Sequence, residues 1–308
     1  MKVWIPHETG HALLGELPAQ ITVETMEDLA RPPSSAAGVR FWVPPFLATR
    51  EIVPFAHELP DLAVVQLLSA GADAWVGRVP DGVVLCDARG VHDPSTAEWV
   101  VTAILARLRA FPEMIRAQAE RRWAYDEVAP TDELAGKRVL IIGAGSIGTA
   151  VRDRLAPFEV EFTLVARTAR AAQGVHGVDE LPGLLPHADV VVLLVPLTPQ
   201  TRGLVDEKFL AAMPDGALLV NAARGPVARI DALLAELSTG RISAALDVTD
   251  PEPLPADHPL WELPNVLITP HVAGSVRGLL PRAYRLVGEQ IRRFAAGERP
   301  ENVVVDGY

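Results

Sequence analysis

Short apolar runs separated by polar or Pro/Gly breaks recur along the whole chain. Through residue 90 they fall at Val3 to Ile5, Ile21 to Val23, Val39 to Val43, Leu62 to Leu68 and Val83 to Leu85. Runs of this length, spaced by segments that could hold helices, predict a small α/β domain with a parallel sheet. A longer pattern follows, with Ala97, Val100, Val101, Ile104, Leu105 and Leu108 at helical spacing on one stripe. Asp93 and Ser95 flank Pro94 as start signals, and Ser95 with Glu98 forms a possible capping box. A second, less apolar helix is predicted from about Pro112 to Arg122, with Pro130 and Thr131 marking a break.

From residue 138 the alternation becomes regular. Apolar runs lie at Val139 to Ile142, Phe162 to Val165, Val190 to Val195, Ala217 to Val220, Ala244 to Val248 and Val266 to Ile268. Helical stretches such as Ile230 to Leu237 fall between them. Strands apolar at every position suit a parallel sheet covered on both faces. A last helix is expected over Pro281 to Ala296, and Val303 to Val305 could return as an edge strand of the first domain. The expected organisation is therefore a substrate domain, 1–94 completed by 281–308, holding a dinucleotide-binding domain, 95–280.

Composition changes this picture little. At 308 residues the chain suits two domains better than one, since single cores rarely grow past about 250 to 300 residues. Its net charge of −11 and lack of a basic cluster argue against nucleic acid or an anionic membrane as partner. The lone Cys86 rules out an internal disulfide and suits a reducing cytosol, where it reads as a small buried side chain. No run approaches the ~20 apolar residues of a membrane span, and the first ten residues lack a signal peptide's apolar stretch, so a cytoplasmic protein is expected. The segment His7-Glu-Thr-Gly-His11 is too weak a pattern to assign a metal, and His7, His11, His57, His92, His176, His187 and His258 read as surface or core residues.

The segment KRVLIIGAGSIG, Lys137 to Gly148, carries the clearest chemistry. A strand runs into Gly143, Gly145 and Gly148, spaced G-x-G-x-x-G, and then into a helix. The first glycine permits the turn, the second lets backbone approach a pyrophosphate, and the third packs helix on strand. Ser146 and Ile147 open the helix, whose free N–H groups and dipole favour phosphate. An NAD site usually places Asp or Glu about 20 residues on, at the end of the second strand. Here that end reads Ala166-Arg167-Thr168-Ala169-Arg170, without a carboxylate. Arg167, Thr168 and Arg170 match a ribose 2′-phosphate, so NADP(H) is expected over NAD(H).

Three later strand ends carry polar groups suited to a carbonyl: Arg224 in NAARGPV, Asp247 and Glu252 in LDVTDPEPLP, and His271 in ITPHVAGS. With SAGAD at 69–73 and PLTPQTRGLVD at 196–206, these motifs in this order resemble the D-isomer-specific 2-hydroxyacid dehydrogenases, a family that includes hydroxypyruvate and glyoxylate reductases and phosphoglycerate dehydrogenase. Residues 1–60 match only in general pattern. The resemblance implies two Rossmann-like or flavodoxin-like parallel-sheet domains with the active site in the cleft between them, and an enzyme interconverting a 2-keto acid and a D-2-hydroxy acid. It places Arg224 on the substrate carboxylate and carbonyl, His271 as general acid/base and Glu252 as its partner. Ala70 and Gly71 would offer backbone N–H groups to the carboxylate, while Pro196 and Asp247 would lie against the cofactor. These roles make chemical sense: a guanidinium stabilises charge building on the carbonyl oxygen, and histidine can deliver a proton near neutrality. An adjacent carboxylate favours the imidazolium form, keeping that proton available.

By the same resemblance Trp123 sits where relatives often reach a partner's site, and a homodimer is expected; packing within a core or interface is the other reading. Thr249, where relatives usually carry an aromatic, and Ala228 with Arg229, in place of an acidic step, depart from the family pattern. Trp42 and Phe46 fall near the loop that lines the substrate side chain, although core packing explains them as well. Two alternatives remain open at this point: phosphite or formate oxidation on the same scaffold, and a nucleotide-sensing corepressor or binding protein. Glu252 argues against the formate type, where an amide is typical at that place.

Overall fold

A computed structural model of the chain describes residues 1–47 and 51–305. They divide into two compact units, Met1–His92 with the segment from Val276 onward, and Asp93–Ser275. The sequence reading placed these divisions at 94/95 and 280/281. In chain order the helices are α1 (Gly10–Leu13), α2 (Asp93–Leu108), α3 (Phe111–Ala119), α4 (Tyr125–Val128), α5 (Ser146–Leu155), α6 (Leu181–Leu184), α7 (Glu207–Ala212), α8 (Ile230–Ser238) and α9 (Leu279–Ala295).

The first unit holds a five-stranded sheet among the described residues: β1 (Lys2–Ile5), β2 (Thr22–Thr25), β3 (Val39–Trp42), β4 (Val64–Gln66) and β5 (Val84–Cys86), in the order β2-β1-β3-β4-β5. All pairings are parallel. Side chains alternate between its faces, so each strand feeds two cores. Val3, Ile5, Phe41 and Val64 pack with Leu279, Ala283, Tyr284, Val287 and Ile291 of α9. On the other face Trp4, Trp42 and Val65 pack with Val53, Leu67 and Trp75. Trp42 is therefore a core residue, fully buried and meeting Trp75 edge-on with ring centroids 5.6 Å apart. Val303 forms one antiparallel bridge to Cys86 at the β5 edge, short of a full strand. Burial pushes the Cys86 thiol up to about 12, which leaves it an inert core group.

The second unit holds a seven-stranded parallel sheet among the described residues: β6 (Arg138–Ile142), β7 (Glu161–Ala166), β8 (Val175–Gly177), β9 (Val190–Leu193), β10 (Leu218–Asn221), β11 (Ser243–Leu246) and β12 (Val266–Ile268). The order is β12-β11-β10-β9-β6-β7-β8. One face carries α2 and α5, through Ala97, Val100, Ile104, Val151 and Leu155 against Val139, Ile141, Val190 and Val220. The other carries α7 and α8, through Phe209, Leu210, Leu233 and Leu237 against Leu140, Val191 and Leu219. Val100 and Ile104 are fully buried, and each such side chain contributes about 1.5 to 3 kcal/mol of transfer free energy.

Three details differ from the sequence reading. Helix α2 starts at Asp93, so Ser95 lies inside its first turn and does not cap it. The short strand β8 was not foreseen, because Val-His-Gly is too brief to show a pattern. Helix α3 stops at Ala119, and the one-turn α4 follows.

Candidate active site

In the second sheet the chain runs β6-β7-β8 to one side and then β9 to β12 to the other, so the strand order reverses between β6 and β9. Ligands of open parallel sheets bind beyond the carboxyl ends of the strands at such a reversal. The glycine turn lies there. Gly143 has φ +120°, and a Cβ on it would lie 2.6 Å from the carbonyl of Leu194, which leaves β9 just before Pro196. A Cβ on Gly148 would collide with the Gly143 carbonyl, whereas one on Gly145 would meet nothing within 4 Å. The turn is thus closed by its first and third glycines and open at its second, the shape that accepts a pyrophosphate. Gly145 caps α5 without a side-chain hydrogen bond, leaving the N–H groups around Ser146 and Ile147 to face such a group. The Ser146 hydroxyl donates to Asp93 Oδ1 at 3.1 Å, a partner that the sequence showed only as a helix-start residue.

Beyond β7 the side chains of Arg167, Thr168 and Arg170 are exposed. Arg170 bends back, its Nη2 donating to the Ala144 carbonyl at 2.8 Å inside the glycine turn. One guanidinium therefore stands beside the cradle. These features fit a dinucleotide.

The remaining groups sit past the ends of β10, β11 and β12. Asn221, 1% exposed, folds the β10 end: its Oδ1 accepts from Ala223 N at 3.0 Å and its Nδ2 donates to the Arg224 carbonyl at 3.3 Å. The half-buried Arg224 donates from Nη1 to the Ala223 carbonyl at 2.7 Å. A Cβ on Gly225 would collide with the Thr249 carbonyl, so this position seats the Arg224 turn directly on the loop leading to Glu252. Thr249 donates its hydroxyl to the Pro251 carbonyl at 2.9 Å and is 8% exposed, a small polar residue turned into its own loop. Ala228 is buried at 5%, consistent with an apolar residue there, and Arg229 pairs with Glu207 at 2.9 Å.

His271 Nδ1 lies 2.6 Å from Glu252 Oε1, so the two loops meet through an imidazole–carboxylate contact that leaves Nε2 for a substrate. His271 has φ +52°, a left-handed backbone that a non-glycine residue adopts only when its surroundings hold it. They do so through Asp247. The Asp247 carbonyl accepts from His271 N at 2.7 Å. Its carboxylate accepts from the Thr269 hydroxyl at 2.6 Å and from Val272 N and Ala273 N, each at 2.9 Å. Asp247 is 2% exposed. It anchors the loop that carries His271. Thr269 and Asn221 complete that framework, and neither role is visible along the chain beyond their membership of the motifs.

In the first unit Ala70 and Gly71 follow β4 in a half-buried turn where the Ser69 hydroxyl donates to the Gly71 carbonyl at 2.8 Å. Among the described residues no group of three or more His, Cys, Asp or Glu is placed to hold a metal ion, and no helix is long and apolar enough to cross a membrane. Trp123 is 95% exposed, with Tyr125, Ile115 and Phe111 also exposed nearby in sequence.

Residues 101–273 match the model of the D-isomer specific 2-hydroxyacid dehydrogenase NAD binding domain. A solved D-isomer specific 2-hydroxyacid dehydrogenase of Xanthobacter autotrophicus Py2, in complex with NADPH and MES, superposes with a TM-score of 0.85 at 34% identity, covering 100% of this chain and 99% of that one. The NADPH-dependent glyoxylate/hydroxypyruvate reductase of Sinorhizobium meliloti, in complex with NADP and sulfate, gives 0.84 at 29% identity over 100% and 99%. The glyoxylate reductase of Thermofilum pendens is 34% identical over 80% of this chain and 75% of its own. The chain spans about half the length of the D-3-phosphoglycerate dehydrogenases it also matches. By both sequence and fold, the chain belongs to the D-isomer-specific 2-hydroxyacid dehydrogenase family of oxidoreductases.

Proposed function

We propose that this protein reduces a small 2-keto acid, of the glyoxylate or hydroxypyruvate kind, to the D-2-hydroxy acid and prefers NADPH to NADH. The observation that carries the reading is the 2.6 Å contact between His271 and Glu252, on a loop whose geometry Asp247 fixes. Gly143, Gly145, Ser146, Ile147 and Gly148 would hold the pyrophosphate and Pro196 would lie against the cofactor, which when bound supplies a hydride to the carbonyl carbon. Arg224 takes the substrate carboxylate, with Ala70 and Gly71 N–H groups as further donors, and stabilises the negative charge that builds on the carbonyl oxygen. His271 delivers the proton to that oxygen from Nε2, while Glu252 on Nδ1 fixes the ring. Turnover of glyoxylate and hydroxypyruvate with NADPH tests this; inactivity toward every 2-keto acid would overturn it, and tight NADPH binding in that case would favour a sensing protein.

The cofactor preference rests on Arg167, Thr168 and Arg170 in place of a carboxylate, on the seat of Arg170 beside the glycine turn, and on relatives solved with NADPH and NADP. Charge-assisted hydrogen bonds of about 1.5 to 3 kcal/mol to a 2′-phosphate should make NADPH bind at least about tenfold tighter than NADH in a fluorescence titration. Arg170→Ala should narrow that ratio, and tighter NADH binding would contradict it.

The assembly proposed is a homodimer built on α3 and the segment through Trp123, whose exposed Phe111, Ile115, Trp123 and Tyr125 suit a partner surface. Sedimentation should give twice the 33.1 kDa of one chain, and Trp123→Arg should shift it toward one.

A further inference from the structure

Helices α2 and α5 lie side by side on one face of the seven-stranded sheet, with Ala97, Val100 and Ile104 packing with Val151 and Leu155. Asp93 is the first residue of α2 and Ser146 the first of α5, and the two side chains meet through the 3.1 Å hydrogen bond from the Ser146 hydroxyl to Asp93 Oδ1. Both N-termini therefore arrive at the glycine turn, and both helix dipoles favour an anion there. Asp93 and Ser146 belong to the same compact unit, and each is half-buried.

Ser146 carries the one polar side chain of the turn Gly143-Ala144-Gly145-Ser146-Ile147-Gly148. Its hydroxyl has a single proton to give, and rotation about χ1 decides which neighbour receives it. In this structure the proton goes to the Asp93 carboxylate. A phosphate oxygen seated on the N–H groups of Ser146 and Ile147 would compete for the same proton, because the hydroxyl sits one side-chain bond from the backbone that faces it. No other hydroxyl of α5 can stand in: Thr149 already donates to the Gly145 carbonyl at 3.0 Å. One donor thus stands between two anionic acceptors, of which one belongs to the protein.

We propose that Asp93 is a positioning residue that limits how tightly the dinucleotide is held: it withholds the Ser146 proton from the pyrophosphate and so speeds release of the spent cofactor. The proposal rests on the placement of the pyrophosphate in the glycine turn. It is independent of the keto-acid and NADPH readings, since NADH and NADPH share that pyrophosphate. Asp93→Ala frees the proton. Asp93→Asn leaves an amide oxygen, a weaker acceptor than a carboxylate, and Ser146→Ala removes the hydroxyl itself.

The test is fluorescence titration with NADPH and with NADH, and displacement of NADPH by ADP-ribose and by adenosine 2′-monophosphate, with each variant's melting temperature recorded. Asp93→Ala should bind NADPH, NADH and ADP-ribose about three- to tenfold tighter, the worth of one hydrogen bond. Stopped-flow should show that gain as slower dissociation. Adenosine 2′-monophosphate, which has no pyrophosphate, should change by less than about twofold. Asp93→Asn should shift the three pyrophosphate ligands in the same direction by less, and it carries the test if Asp93→Ala does not fold. Ser146→Ala alone should change affinity by less than about twofold, and in its background the gain from Asp93→Ala should fall below about twofold, as a double-mutant cycle requires of coupled groups. A gain that persists without the Ser146 hydroxyl would be an effect of charge alone and would overturn the assignment. Weaker or unchanged binding in Asp93→Ala would overturn it too, leaving Asp93 as a support of the helix start. No binding of NADPH, NADH or ADP-ribose by the unsubstituted chain would overturn the placement of the pyrophosphate as well.

Discussion

Replacing His271 by alanine is expected to lower kcat by about 10²- to 10⁴-fold, the range for loss of a positioned general acid–base, while NADPH affinity stays within about threefold. The imidazole is held from two sides: Glu252 Oε1 at 2.6 Å from Nδ1, and a backbone at φ +52° pinned by the Asp247 carbonyl. Only the Nε2 side remains for substrate. Glu252→Gln should give a smaller loss, since an amide oxygen can still accept from Nδ1 and orient the ring. Measured as single-turnover NADPH oxidation with hydroxypyruvate, unchanged turnover in His271→Ala would remove this residue from the chemistry.

Replacing Asp247 by alanine is the change expected to damage the framework most. It leaves the Thr269 hydroxyl and the N–H groups of Val272 and Ala273 without their acceptor at a place that is 2% exposed. An unsatisfied buried donor costs about 1 to 3 kcal/mol, so three together should cost roughly 3 kcal/mol or more and lower the melting temperature by at least about 6 °C for a unit of this size. Turnover should fall with it, because the loop that sets the His271 backbone loses its anchor. Calorimetry alongside an NADPH titration separates this from a cofactor role: unchanged melting with weakened NADPH binding would favour the cofactor-side role that the resemblance implies.

Much of this was readable along the chain because the signals are local. Apolar runs marked most strands of both sheets, and the glycine spacing marked the turn at the strand reversal. Arg224, Glu252 and His271 could be singled out because each follows an apolar run by a few residues, which is where a parallel sheet presents side chains to a ligand. What was not readable depends on distant partners. Asp247 and the loop it anchors are separated by 22 to 26 residues, and nothing in either segment shows which donors its carboxylate will take. His7 looked like any histidine in a turn, because Tyr284, whose hydroxyl lies 3.0 Å from its Nδ1, is 277 residues away. The start of α2 was left open for a different reason: Asp93 and Ser95 are both good helix-start residues, and only the packed helix decides between them in favour of Asp93.

The central claim is that Arg224, Glu252 and His271 serve reduction of a 2-keto acid to one enantiomer of its hydroxy acid. The direct measurement is chiral analysis of the product formed from hydroxypyruvate and NADPH by the unsubstituted protein, with NADPH consumption followed in the same reaction. The account predicts D-glycerate alone, formed in a one-to-one ratio with NADPH consumed; L-glycerate, a mixture of the two, or no product would contradict it.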